Sequence, residues 1–225
     1  MTHVKLDILS DPICPWCYIG KTHLDRALAE EPDHPFVIEW HPFQLNPDMP
    51  SEGADRRAYL EAKFGGKDNA VRAYAQVSKH AEEAGVTINF EAMHRTPNTV
   101  NAHRLIHWAG LEGKQSPVVD ALFKAYFVEG KDIGDTATLC DLAESAGMER
   151  AVVEKLLNGA NDLEDIQARD AHSRKMGVNS VPTFILANQH VVSGAQPPEL
   201  WKQVIADIRA QLSEVDAAEE DAVKH

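Results

Sequence analysis

Cysteine is scarce in this chain: three in 225 residues, at positions 14, 17 and 140. That is too few for the disulfide-stapled scaffolds of small secreted domains. Long apolar runs are missing too, and nothing approaches the ~18 consecutive apolar residues of a membrane span. Positive charge is in short supply, with 22 Lys and Arg against 35 Asp and Glu, a formal net charge of −13. Such a surface repels nucleic acid and anionic membranes, so neither is an expected partner. The first residues, MTHVKLDILSDPIC, carry no basic n-region, no apolar h-region and no small-residue cleavage site. A cytoplasmic protein is the expectation, and in a reducing compartment a C-x-x-C pair points to catalysis or metal binding rather than to a structural disulfide.

What is present is an ordinary globular composition, 44% hydrophobic and 25% charged. Val4, Leu6 and Ile8 alternate with Lys5 and Asp7, the period of a half-buried strand. A helix follows from Pro15, carrying Leu24, Ala27 and Leu28 on one face until Pro32 and Pro35 stop it, and residues 36–40 read as a second strand. The middle of the chain turns helical, with segments predicted over 68–84, 98–109, 117–128, 136–146, 149–157 and 162–176. Alternation returns over 183–186 and 190–193, and a helix over 198–212 closes the order β-α-β, helices, β-β-α. The expected class is α/β, a thioredoxin-like fold interrupted by an inserted all-helical domain. Residues 1–46 and 177–213 would form the thioredoxin-like part and 47–176 the helical insertion, with 214–225 an acidic, disordered tail.

Residues 10–22, SDPICPWCYIGKT, offer several chemistries. Gly20-Lys21-Thr22 resembles the end of a phosphate loop, but the first glycine of that motif would stand at Pro15, which has no N–H for a phosphate. A covalent haem site needs His where Tyr18 stands. Zinc would find two thiolates and no second pair at finger spacing, and His103 and His107 enclose Arg104 without the Glu of a zincin, so no metal is expected. Redox chemistry fits best. A strand delivers Cys14 to a helix start, where unpaired N–H groups and the helix dipole stabilise negative sulfur. Cys14 is then the attacking thiol, and Cys17, less than one turn on, resolves the mixed disulfide. The reversible Cys14–Cys17 disulfide takes the place of a cofactor. Cys140, beside Leu139 and Leu142, reads as a small buried hydrophobe.

A second element lies far along the chain. Pro182 opens the strand over 183–186, and a cis Val181–Pro182 bond there would present Val181's backbone groups to an extended substrate beside Cys14.

Together SDPICPWCYIGK, PFQLNPDMP (42–50), NTVNAHRL (98–105) and VNSVPTFIL…SGAQPPE (178–199) resemble the DsbA-like thiol–disulfide oxidoreductases of the FrnE-type subgroup, over residues 4 to 212. The resemblance implies disulfide exchange through Cys14 and Cys17, a cis Pro182, and substrate contacts from Trp16, Asn98 and His103. The partner it implies is a thiol or disulfide, protein or small molecule, glutathione included; monomer and homodimer both stay open. Pro-Trp stands between the cysteines where periplasmic relatives have Pro-His, and Asp11 places a negative charge nearby, so a weaker oxidant is implied. The buried acid that many thioredoxin-like proteins carry six residues before the first cysteine is replaced by Ile8, and Asp7 faces the other side of the strand. Two alternatives remain. Glutathione-dependent isomerases and kappa-type transferases share the topology, but have Ser in place of Cys14 and a polar pair where Gly194 is followed by Ala195-Gln196. A client-binding chaperone is the third.

Overall fold

The computed structural model describes residues 3–223, with the side chains of its last helix as far as residue 214. Strand β1 (Val4–Ser10) leads into helix α1 (Pro15–Glu30), which returns to β2 (Phe36–Pro42). The two strands pair in parallel, Val4 opposite Phe36 through Ser10 opposite Pro42. At the far end of the chain β5 (Thr183–Leu186) joins the other edge of β1, and β6 (His190–Ser193) joins β5, both antiparallel. The sheet order β2-β1-β5-β6 makes β1 central, which is why Leu6 and Ile8 are almost wholly buried. Helix α9 (Pro198–Val223) covers the C-terminal strands, with Trp201 edge-on to Phe184 at 4.6 Å. The α/β, thioredoxin-like class is the one the alternation of periods implies.

Between the halves lie β3 (Ala54–Asp55), α2 (Arg56–Phe64), α3 (Lys67–Glu83) and β4 (Arg95–Thr96). Then come α4 (Val100–Leu111), α5 (Gln115–Phe123), α6 (Thr136–Ser145), α7 (Arg150–Leu157) and α8 (Leu163–Lys175). A π-helical turn, Lys124–Val128, follows α5 and absorbs the end of the helix predicted over 117–128. The insertion is therefore not all-helical: β3 and β4 form a two-residue antiparallel ribbon, too short to leave a period in the sequence. Helix α2 is a second departure. It buries only Arg56, so it shows no apolar stripe, although Asp55 caps its first turn by accepting from Ala58 N and Gly65 ends it at φ 70°. Helix α9 also runs past residue 212 through the acidic stretch expected to lack structure; Ala and Glu, its commonest residues there, are good helix formers. Residues 224 and 225, the end of that stretch, lie outside the described residues.

One apolar core runs through both parts, taking in Leu6 and Phe184 of the sheet together with Leu105 of α4 and Phe123 of α5. Lys21 of α1, buried, pairs with Asp25 and with Asp120 of α5, each at 2.5 Å, and so ties α1 to the insertion. Gly20 is a packing residue. A Cβ there would stand 3.0 Å from the Pro182 ring and 3.2 Å from Ala195 Cα, so the missing side chain lets α1 lie against the start of β5. Gly20→Val is expected to lower the unfolding free energy by about 1–3 kcal/mol through overpacking. Urea unfolding checks this, and an unshifted midpoint would contradict the close contact.

Candidate active site

Strand β1 ends at Ser10, and the turn Asp11-Pro12-Ile13 delivers Cys14 as the N-cap of α1, with Pro15 in the first helical turn. Pro15 has no N–H to leave unpaired, and its fixed φ suits the helix start. Cys14 has extended backbone angles, φ −86° and ψ 114°, and its carbonyl already accepts from Cys17 N and Tyr18 N. No side chain caps this end of the helix, so the positive end of its dipole is left to the Cys14 sulfur. The Cys14 and Cys17 thiols are free and are close neighbours. The Val181–Pro182 peptide is cis, and the Cys14 thiol donates to Val181 O at 3.6 Å. Elements 167 residues apart in sequence thus meet at one sulfur.

Both thiols are buried, but differently. Cys14 forms part of the wall of a cavity of about 480 Å³, with Trp16, Val181, Tyr59, Tyr74 and Tyr126. Cys17 lies behind it, 1% exposed, and burial pushes its thiol pKa well up; the neighbouring Cys14 pushes the same way, and the Ser10 hydroxyl and Asp11 backbone oppose them. Trp16, half-buried, also meets the His80 ring at 5.2 Å, so α3 forms the far side of the opening. Cys14 thus forms part of the cavity wall, and Cys17 does not.

Asp11 corrects the expectation of a standing negative charge beside Cys14. Its carboxyl is wholly buried, and burial pushes its pKa up to about 7, although the backbone N–H groups of Leu45 and Ile13 donate to it at 2.6 and 3.3 Å. The sequence shows Ser10-Asp11-Pro12 as turn chemistry only; its burial depends on the loop after β2 folding over it. His103 sits 3.9 Å from Asp11, 3% exposed, with no hydrogen-bond partner for Nε2. Burial pushes its pKa down to about 4, with Asp170 opposing and Arg169 assisting.

The structure does not bring Asn98 or His103 to the cavity wall, where substrate contacts were expected of them. Asn98 is spent on the backbone, donating to Met49 O at 2.6 Å and accepting from Val100 N at 2.9 Å. His103 is sealed behind Asp11. Asp7 does face away from the thiols, 2.6 Å from His41 and 2.9 Å from Lys5. Asp7, Glu39 and His41 gather closely enough to hold a metal, yet the Lys5 ammonium already bridges the two carboxylates. Cys140 is buried on α6.

The two buried groups act oppositely on stability. Asp11 holds its proton to higher pH in the folded chain, and its raised pKa contributes stability that is full below 3.8 and lost as pH rises through about 7. His103, lowered, contributes stability that is full above 6.5 and lost as pH falls through about 4. Over the shared window the slopes offset. His103→Gln is expected to leave only the falling slope, about 1 kcal/mol lost per pH unit upward, and Asp11→Asn only the rising one. Urea unfolding at several pH values in that window reads both; curves parallel to the wild type would contradict the assignment.

Known proteins are similar to this chain in sequence and in fold. A curated relative, YwbO of Bacillus subtilis (strain 168), is 28% identical over 91% of this chain and 96% of its own. Among solved structures, a "probable DsbA oxidoreductase" from Streptomyces coelicolor superposes with a TM-score of 0.81 at 28% identity, covering 91% of this chain and 89% of that one. The cytosolic disulfide reductase DsbM from Pseudomonas aeruginosa, solved with GSH, shares the fold at a TM-score of 0.65 and 19% identity, covering 93% and 99%. A 2-hydroxychromene-2-carboxylate isomerase shares it too, at 0.69 and 17%, covering 94% and 98%. The family model of DSBA-like thioredoxin domains matches residues 5–206. A thioredoxin sheet that brings a helix-capping cysteine against a cis-proline, and a family match spanning almost the whole chain, place this protein in the DSBA-like thioredoxin domain family.

Proposed function

We propose that this protein is a thiol–disulfide oxidoreductase of the FrnE-type subgroup working through Cys14 and Cys17. The observation that carries the reading is the asymmetry of the pair: Cys14 lines the cavity from the N-cap of α1, and Cys17 is buried behind it within reach of the same sulfur. In the reducing direction the Cys14 thiolate attacks one sulfur of a substrate disulfide, forms a mixed disulfide and releases the other sulfur as a thiol. Cys17 then gives up its proton and attacks Cys14. This closes the Cys14–Cys17 disulfide, releases the second thiol and moves two electrons from protein to substrate. The oxidising direction is the same path reversed.

Burial raises the cost of ionising Cys17, so the resolving step needs a proton acceptor. Val181 O, already taken by the Cys14 thiol, becomes free for a substrate N–H once that thiol has reacted. The alternative, a glutathione-dependent isomerase, is favoured by one observation: a neighbour of this fold is named as an isomerase. Cys14 in the place where such enzymes have Ser argues for exchange instead. No described helix is long and apolar enough to cross a membrane. A neighbour of this fold, DsbM, is a cytosolic disulfide reductase, which supports a cytoplasmic place of action here.

Cys14→Ser is expected to abolish reduction of a disulfide such as that of insulin, with dithiothreitol as donor. Cys17→Ser is expected to accumulate a mixed disulfide on Cys14, seen as added mass that dithiothreitol removes. Activity with glutathione surviving in Cys14→Ser would instead favour the isomerase.

A further inference from the structure

A buried guanidinium shares the Cys14 cavity without an acid paired to it among the described residues. Arg56, 7% exposed, is the first residue of α2, held there by its N–H donating to His94 O at 2.9 Å. Its Nη1 donates to Tyr126 Oη at 2.8 Å and its Nη2 to Tyr74 Oη at 2.7 Å, and no carboxylate pairs with it among the described residues. Both phenols and the guanidinium line the cavity that contains Cys14, and Tyr74 lies close enough for the Cys14 charge to act on it.

Arg104 shows what a buried structural arginine looks like in the same molecule. It makes five hydrogen bonds, four to carbonyls at the end of α7 and beyond and one to Asn101, and so closes off backbone groups that would otherwise be unpaired. Arg56 does no such service. It lies over the Tyr74 and Tyr126 rings, 5.1 and 5.8 Å from their centroids, and those contacts leave its charge without an anion to balance it.

The rest of the cavity points the same way. In a chain of net charge −13, its wall carries Arg56 and Lys63 and no Asp or Glu. Asp55, next to Arg56 in sequence, accepts from Ala58 N, and Glu61, which pairs with Arg57 at 3.0 Å, lines an adjoining cavity that shares Arg56, Leu60 and Tyr74 with this one. Each phenol accepts from Arg56 and keeps its own proton to give away; Tyr126 spends its proton on Arg95 O, and Tyr74 has no acceptor among the described residues. Burial raises both phenols' pKa and keeps those protons in place. Cys14 itself is 3% exposed, at the bottom of a space of small-molecule size. A folded protein's disulfide reaches such a sulfur with difficulty, and a small one enters.

We infer that the substrate of this site is a small thiol or disulfide bearing a carboxylate, with Arg56 and the Tyr74 hydroxyl receiving the carboxylate while Cys14 meets the sulfur. The inference rests on the thiol-exchange reading and narrows it. The electron balance is that of exchange: the reduced pair gives two electrons to the disulfide, two anionic thiols leave, and the Cys14–Cys17 disulfide remains.

The test uses three disulfides of near-equal length: dithiodiglycolate (dianion), hydroxyethyl disulfide (neutral) and cystamine (dication). Fully reduced protein is mixed with an excess of each, single-turnover oxidation is followed, and each rate is divided by that of dithiothreitol with the same disulfide. The expected order is dianion, neutral, dication, with the dianion ahead of the neutral by about tenfold, the worth of one charge-assisted hydrogen bond. Salt should compress the spread. Arg56→Met should collapse the dianion preference through its saturation constant, and Arg56→Lys should keep part of it. The wild-type series needs no variant and stands even where Arg56→Met fails to fold. Equal normalised rates, or the dication fastest, would overturn the inference and leave thiol exchange intact. Insulin reduction without reaction of any of the three would overturn it in the same way. Failure with insulin and with all three would overturn both readings.

Discussion

Where β1 runs into α1, the chain must turn a strand into a helix within a few residues, and the first helical N–H groups are left without partners. Cys14 occupies that junction as the N-cap, with Pro15 beside it to lock the first turn. Everything else in the site is arranged about this sulfur. The sheet order puts β5 next to β1, so the cis Val181–Pro182 peptide arrives against it, and Gly20 leaves room for that approach. Had β1 been an edge strand, neither the proline nor the burial of Cys17 would follow.

The insertion supplies the other half of the environment. Helices α2 and α3 and the β3–β4 ribbon bring Arg56, Tyr59, Tyr74 and Trp16's partner His80 around the opening. Lys21, buried between Asp25 and Asp120, joins α1 to α5. The insertion shares the core of the sheet, so the cavity's geometry is set by packing across both parts rather than by a hinge between them. The thioredoxin part carries the two cysteines and the cis-proline, and the insertion supplies most of the cavity wall, Arg56 included.

How much of this is legible in the sequence follows from which signals are local. The place of Cys14 at a helix start, the cis-proline and the order of elements are legible, because C-x-x-C after a strand and a change of period are properties of short stretches. The roles of Asn98 and His103 are not: both motif residues are committed to internal structure, one to backbone bonds and one to a sealed position beside Asp11. Asp11 looks like a turn residue, since its burial depends on Leu45 arriving from a loop 34 residues away. Helix α2 stays hidden because its one buried residue is charged, which defeats any search for an apolar stripe. Arg56 stays hidden for the same reason. A capping Asp followed ten residues later by Gly65 was the available signal.

The central claim is that the sulfur at the helix mouth is the one that meets substrate. Brief treatment of the reduced, folded protein with iodoacetamide at neutral pH, followed by peptide mapping, tests it directly. Label is expected on Cys14 well before Cys17 or Cys140, which should react only after unfolding. Label appearing first on Cys17 or Cys140, or on all three at one rate, would contradict the account.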